Sequence, residues 1–567
     1  MFVVIAPEQE GGSKEQTGLS VLLRNNLLVS ALIFAALEFW RPRFFLTDDN
    51  LDGGFPFFTE VGLRLLHGRS PFVSEHLFGG GYNLLRDPDF FAWHPLYLIV
   101  SLLAGTPFHF LIMDVDAFAL LMLATAGFVV LSSHLRKELA LQISDGWIMF
   151  YTLSFTYSMI ALTTGASWMA FLGNHSALPW LALGILQKSC RRGIGLVALF
   201  SLHQVLGGHL APTLSSSIFF SVFALGVALW RGSVLPLGNW AIGSSVSLVL
   251  ALPLLLPMLG GFFASARAQG VTLEDMQNYN IPAAEFPTSL FFGMAVWIAH
   301  PVGHPHTTMT VALGACAAAW CLFPVLVGLN KWSGLELVCL GMLVFGVLLI
   351  SRPMWITEIM FHLPVFRSMR WPFRELLQFQ FFLHLLLVLR RPGLLKGFQK
   401  IAAVWGTIIL VVPMIAYPLP PTFNSMDWDR ELLFTGGTDR FWEQVRPLLK
   451  PTDRIAVLIP ENEVYDQDRF EEPYSLLPSY NYAALAGVVN AWGYSPTAPM
   501  DQLYTRTYAY YPFGAYRPDQ KAALLAERPD LKFITLESLD PLKITLTSRD
   551  GPTIDLTPFV PRRIKGP

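Results

Sequence analysis

The stretch FFLTDDNLDGGFPFF, residues 44–58, decides how this chain is read. Asp48, Asp49 and Asp52 crowd together there, directly behind one long apolar run and ahead of others. A carboxylate cluster at the edge of an apolar helix needs water, a partner or a cation. Which of these it meets depends on the chain around it.

The surroundings are those of an integral membrane protein. Of 567 residues, 53% are hydrophobic and 14% charged, against about 25% charged in soluble domains. Mean hydropathy is +0.46. A soluble core of that composition would expose large adhesive patches. Net charge is −2, so bulk charge gives no pointer to nucleic acid, and an electrostatic partner has to be found locally. Cys190, Cys316, Cys321 and Cys339 fall in or beside apolar runs, with no disulfide or zinc spacing. They read as buried inert thiols. Residues 1–24 read as a flexible cytoplasmic tail without the features of a cleaved signal peptide.

About twenty apolar residues cross a bilayer core. Runs of that kind predict about eleven spans, at 25–45, 107–134, 146–165, 170–188, 193–209, 212–230, 239–261, 308–329, 334–351, 373–390 and 399–417. With the N-terminus cytoplasmic, the cytoplasmic loops hold Arg136, Lys137, Lys188, Arg191, Arg192, Arg231, Lys331, Arg390, Arg391, Lys396 and Lys400. The short outer turns near 166–174 and 210–211 carry no Lys or Arg. That asymmetry is the positive-inside pattern. The expected fold is an all-α polytopic membrane domain over 25–417, with outer loops 46–106, 262–307 and 352–372. An extracytoplasmic domain follows over 418–567. Strand-like RIAVLIP (454–460) and KFITL (532–536), with helix-like PDQKAALLAERP (518–529) between them, make that domain small and α/β.

Four groups of residues could carry chemistry on the outer face. Asp48 and Asp49 follow the first span, as catalytic or substrate-contacting groups or as interfacial carboxylates that fix topology. The loop behind them reads as a short amphipathic helix at 62–72 and then as Gly79, Gly80 and Gly81, with Trp93 and Tyr97 suited to the interface. It is shaped to cover a site near Asp49. Arg367, Arg370 and Arg374 cluster around Pro372, which suits the first turn of a helix. Helix N-termini attract anions and Arg grips phosphate in a bidentate fork, so a lipid phosphate is placed here. The plain alternative is Arg reaching up to headgroups. His300, His304 and His306 lie in a proline-broken run that makes ordinary loop residues, phosphate or sugar contacts, or metal ligands. His209 closes the fifth span, as an interfacial histidine or as a wall of the cavity under the acidic loop. No phosphate-binding loop, hydrolase elbow or zinc-protease signature stands in a supporting context.

In order and placement these motifs resemble the GT-C membrane glycosyltransferases, and within them the YfhO-like bacterial branch. Asp49 stands seven residues before Pro56. Gly208–His209 matches a Gly-His pair at a middle helix. Arg370, Pro372 and Arg374 match an arginine–proline–arginine segment before a late helix. Gly493, Tyr494 and Pro496 match a Gly-Tyr-x-Pro segment in the outer C-terminal region. The resemblance covers about 25–500. It implies a bacterial cytoplasmic-membrane enzyme that moves a sugar from a polyprenyl-phosphate donor to a glycan, lipid or protein acceptor outside. The acid, Asp49 with Asp48 beside it, would act as general base or hold a divalent cation, Mg or Mn. Arg370, Arg374 and Arg367 would bind the donor phosphate. His209, His300, His304, Trp93 and Tyr494 would line the substrate cavity. The rival readings are a non-catalytic membrane subunit working with complex partners, and a lipid or glycolipid transporter.

Overall fold

The computed structural model of the chain describes residues 13–47, 49–77, 80–86, 94–207, 210–263, 272–277, 280–284, 332–363, 366, 372–390, 427–458, 475–477, 482–490, 515–516, 526, 531–539, 541–548 and 551–561. Seven helices among these residues are long and apolar enough to cross a membrane. This is a multi-pass membrane protein.

The chain runs through α1 (Ser13–Trp40) and turns into a segment between spans with α2 (Phe55–Leu66), a two-stranded hairpin β1–β2 (Val73–Ser74, Tyr82–Asn83) and α3 (Pro95–Ser101). It continues through α4 (Ile112–Glu138), α5 (Asp145–Thr156) and α6 (Met159–Ser167). Then come α7 (Met169–Leu186), α8 (Cys190–Gly207), α9 (Leu210–Arg231) and α10 (Leu235–Phe263). A short α11 (Leu273–Gln277) precedes α12 (Gly334–Ser351), α13 (Met354–Phe361) and α14 (Leu376–Leu389). Helices therefore stand at nine of the eleven expected spans. The span expected at 146–165 is the broken pair α5–α6, and α8 is an ordinary 18-residue helix. The segments 308–329 and 399–417 lie outside the described residues.

The break between α5 and α6 has a local cause. The Ser158 hydroxyl accepts from Ala161 N at 3.4 Å and starts a new helix there. Beside it, Tyr157 donates its phenol to Ser30 O at 2.6 Å, and Ser30 Oγ lies 3.0 Å from Thr125 Oγ1. These bonds tie α1, α4 and the break together where apolar side chains alone would let them slide. At the centre runs α14, with every residue buried.

Two expectations need correction. Residues 13–24 are the first turns of α1 rather than a flexible tail. The Ser-Lys-Glu-Gln start is polar but favours helix, so polarity alone placed the boundary too late. The amphipathic helix expected at 62–72 runs instead over Phe55–Leu66, and Phe55–Gly62 are buried in the protein rather than laid on lipid. Pro56 stands on its first turn, where its missing N–H costs nothing.

The helix ends sort into two faces. Glu138 at the end of α4 meets Arg231 at the end of α9 at 2.6 Å and Lys188 beyond α7 at 3.5 Å. Arg390 after α14 meets Glu336 at the start of α12 at 3.7 Å, and Gly334 lies against the Trp230 ring of α9. The basic ends thus gather on one face of the bundle. The turn after α1, the joint between α6 and α7, the end of α8 at Gly207 and the start of α14 lie on the other.

The C-terminal region covers that second face. Its mixed sheet has the order β4-β3-β5-β6-β7, built from Ala515–Tyr516, Arg454–Leu458, Leu531–Leu539, Leu542–Ser548 and Ile554–Asp555. Strand β3 is parallel to β4 and β5, and β5, β6 and β7 are antiparallel. The strands expected at 454–460 and 532–536 are present, while the helix expected at 518–529 falls almost wholly outside the described residues. Helices α15 (Asp427–Phe434) and α16 (Gly437–Val445) flank the sheet. Phe441, Trp442, Ile455, Val457 and Ile534 share one apolar core with Phe55, Phe58, Leu77 and Tyr97 of the segment between α1 and α4. Arg43 stacks on Phe434 at 3.3 Å, and Asn490 N donates to His76 O at 2.8 Å.

Candidate functional site

The turn after α1 is built to hold one residue in place. Glu38 accepts from the N–H groups of Arg43 and Phe44 at 2.7 and 3.3 Å, which closes the helix end. Asp114 of α4 accepts from Phe45 N at 3.1 Å. Thr47 donates to Ala166 O at 2.9 Å. Asn50 donates to Gly165 O and Ala166 O at 2.7 and 2.8 Å and accepts from Met169 N at 2.9 Å. Asn50 therefore brackets the junction between α6 and α7 on both sides. A single π-turn, Asn50–Gly54, then leads into α2; such turns recur at functional sites.

Asp49 is half-buried at the head of that π-turn. Its Oδ2 accepts from the indole N–H of Trp168. Trp168 occupies the extended joint between α6 and α7, with φ −138 and ψ 90. Arg374 stands on the 3-10 turn Pro372–Glu375 that opens α14. Its guanidinium lies 5.1 Å from the Trp168 ring centroid and 5.3 Å from that of Phe171. The Phe373 ring is 6.3 Å from Trp168. Cation–π contacts of this kind attract a guanidinium to a ring face. Asp49 and Arg374 are 325 positions apart in sequence and meet on one indole.

The turn bearing Arg374 is fixed from below. Its neighbour Glu375 is buried, accepts from Ser215 Oγ of α9 and lies 4.0 Å from Arg352. Arg352 ends α12 in a left-handed conformation, φ 42, and donates to Met276 O at 2.9 Å. Gln378, one turn on, donates to Ser216 Oγ at 2.9 Å. The 3-10 turn is thus tied to α9 and to the end of α12, and Arg374 inherits that rigidity.

A third array lies beside Gly207. Tyr97 donates to Gly207 O at 3.2 Å, and a side chain on Gly173 would strike that same carbonyl, so α7 and α8 approach closely here. His94 Nε2 is 2.8 Å from His203 Nδ1, and His203 Nε2 is 2.8 Å from Ser176 Oγ and 3.1 Å from Gly173 O. The spacing imitates a Ser–His nucleophile pair. Its proton pattern does not. A carbonyl only accepts, so His203 Nε2 carries the hydrogen and is no base for Ser176. His203 Nδ1 then accepts from His94 Nε2, and His94 Nδ1 accepts from Leu96 N at 3.3 Å. The chain is complete with both rings neutral. Burial, and then the neighbouring His203, push His94 down to about 2. These residues fasten α3 to α7 and α8.

Of the residues expected to form the site, the structure brings together Asp49 and Arg374. Asp48, Arg367, Arg370, His209, His300, His304, His306, Trp93 and Tyr494 lie outside the described residues, as does the side chain of Asp52. Among the described residues no group of three His, Cys, Asp or Glu side chains is placed to hold a metal ion. Trp168, Asn50, Glu375 and Arg352 were not singled out in the sequence. The signal that could have found Trp168 is a tryptophan at the joint of two apolar runs, where the interface favours it.

No family model matches this sequence, and no curated protein does. Among solved structures the chain is similar to the arabinofuranosyltransferase AftD from Mycobacteria, at 16% identity and a TM-score of 0.45. The similarity covers 84% of this chain and 31% of that one.

Proposed function

We propose that the chain is a GT-C-type membrane glycosyltransferase acting on the outer face of a bacterial cytoplasmic membrane. It moves a sugar from a polyprenyl-phosphate donor to an acceptor hydroxyl of the cell envelope. One observation carries this reading: Asp49 and Arg374 converge on Trp168, on the face of the bundle opposite the basic helix ends. The positive-inside rule assigns those basic ends to the cytoplasm, which puts the Asp49 face outside.

The chemistry requires two things. The attacking hydroxyl needs a positioned base, and Asp49 is a carboxylate held at a fixed place. The leaving phosphate needs fixed positive charge, and Arg374 supplies a guanidinium on a rigid turn, with Arg370 and Arg367 as its proposed companions. Asp49 Oδ2 takes the Trp168 N–H. The base role is the one proposed for it, with a divalent cation held at Asp49 as the alternative.

Lipid or glycolipid transport is the second reading, and one observation favours it. His175 of α7 and His384 of α14 are fully buried inside the bundle, with ring centroids 4.2 and 6.0 Å from that of Phe155. Ionisable groups inside a membrane often mark a translocation path. Mass spectrometry of envelope glycans from cells with and without the protein separates the two readings. A glycan lacking one sugar supports transfer. Unchanged glycans overturn the transferase reading.

A further inference from the structure

We propose that Trp168 is a positioning residue that couples the base to the phosphate grip, an inference that rests on the transferase reading above. One side chain touches both halves of the site. Its indole N–H donates to Asp49 Oδ2, and its ring face carries the Arg374 guanidinium. A hydrogen bond donated to a carboxylate favours the ionised form, which is the form that takes a proton from an acceptor hydroxyl. The ring face seats the guanidinium through a cation–π contact at 5.1 Å, so both groups are fastened to one side chain. Tryptophan is suited to both tasks. It is the strongest aromatic partner for a cation, and its N–H is a donor and never an acceptor.

The backbone around Trp168 supports the same reading. The residue is an extended joint between two helices, and bonds on either side of it come from Thr47 and Asn50. Asn50 holds the backbone on both sides of the indole while its neighbour Asp49 takes the indole N–H. The acidic turn and the tryptophan joint therefore move as one body. Any shift of the joint carries Asp49 and the seat of Arg374 with it.

The test uses the full chain in detergent with added lipid and two readouts. A membrane-permeant carbodiimide modifies protonated carboxyls, and peptide mass spectrometry reads the extent of modification at Asp49 across pH. Undecaprenyl phosphate serves as the binding probe. Trp168→Phe keeps a ring face and loses the donor. Its labelling midpoint should rise by about 1–2 pH units, while lipid affinity stays within about threefold of wild type. Trp168→Leu loses both contacts, so the same midpoint shift should come with an affinity loss of about fivefold or more. Trp168→Tyr, which also lacks a donor at the indole position, supplies both readouts if Trp168→Phe is not recovered folded. A merely structural tryptophan would not move the midpoint of one carboxyl. A wild-type midpoint in Trp168→Phe overturns the coupling. Wild-type lipid affinity in Arg374→Ala overturns the functional reading beneath it, so the two failures are distinguishable.

Discussion

At one end of the bundle Glu138 meets Arg231 at 2.6 Å and Lys188 at 3.5 Å, and Glu336 meets Arg390 at 3.7 Å. At the other end Asp49 and Arg374 are each held against Trp168. Acid and base are present at both ends, yet they are used differently. In the first case opposite charges close on each other and lock helix ends together. In the second an aromatic residue holds an acid by its edge and a cation by its face. Direct pairing fastens helix ends to one another. The aromatic mount fastens an acid and a cation to the joint between α6 and α7.

The comparison is broken most sharply at Asp49. Asp49→Asn keeps the size and loses the base, so sugar transfer should fall by ~10²–10⁴-fold. Asp48→Asn should cost much less. Donor binding should survive in both, because Glu375 on the same turn as Arg374 is also held by Ser215 of α9 and Arg352 after α12. Transfer at the wild-type rate in Asp49→Asn removes this residue from the mechanism. A dead Asp48→Asn with an active Asp49→Asn moves the base by one position.

Arg374→Ala should weaken undecaprenyl phosphate binding about tenfold or more, since a charged hydrogen bond contributes about 1.5–3 kcal/mol. Arg374→Lys keeps the charge and loses the planar fork, and should fall between the two. Equilibrium binding in detergent measures both. An equal loss from Arg231→Ala, at the paired end, would mean that the lipid phosphate reads net charge and not this site.

The paired end should answer to stability instead. Glu138 is largely buried and meets two cations, so Glu138→Gln leaves Arg231 and Lys188 without their carboxylate. The expected loss is about 1–3 kcal/mol, read as a lower thermal midpoint, with undecaprenyl phosphate affinity unchanged. A fall in affinity without a fall in stability would show that the two ends are not separate in role.

These two ends were unequally legible in the sequence. The basic loops announce the paired end, because Lys and Arg counts between apolar runs are a one-dimensional signal. Most spans are legible for the same reason, as are strands β3 and β5, whose apolar β-branched runs stand out in a polar region. Pro372 marks the start of α14 because proline fits a first helical turn. The mount at the other end is invisible to such counts. Trp168 carries no charge, and its contacts reach back 119 positions to Asp49 and forward 206 to Arg374. Asn50 reads as a turn residue until its partners at 165, 166 and 169 are known. The α2 boundary was missed because Gly53, Gly54 and Pro56 look like breakers, although the burial of Phe55–Gly62 against the C-terminal core overrides local preference.

The smallest expected effect sharpens a third way of using polar groups at the same end. His94 and His203 are hydrogen-bonded to each other at 2.8 Å as neutral rings, so their array holds α3 to the bundle only while no extra proton is present. Burial lowers His94 to about 2, against about 6.5 in an unfolded chain. The sign follows from which state binds more protons. Between those two values the unfolded chain is protonated at this position and the folded one is not. Stability is therefore fully present above about pH 6.5 and is lost as pH falls below it. From pH 8 to pH 5.5 the loss from this one residue is about 1.4 kcal/mol. Thermal unfolding in detergent across that range measures it. His94→Asn should flatten the acid side of the curve while lowering stability at pH 8, because Asn still caps α3 but does not reach His203. A His94→Asn curve parallel to wild type down to pH 5.5 would mean that the neutral pair is not what makes this end sensitive to acid.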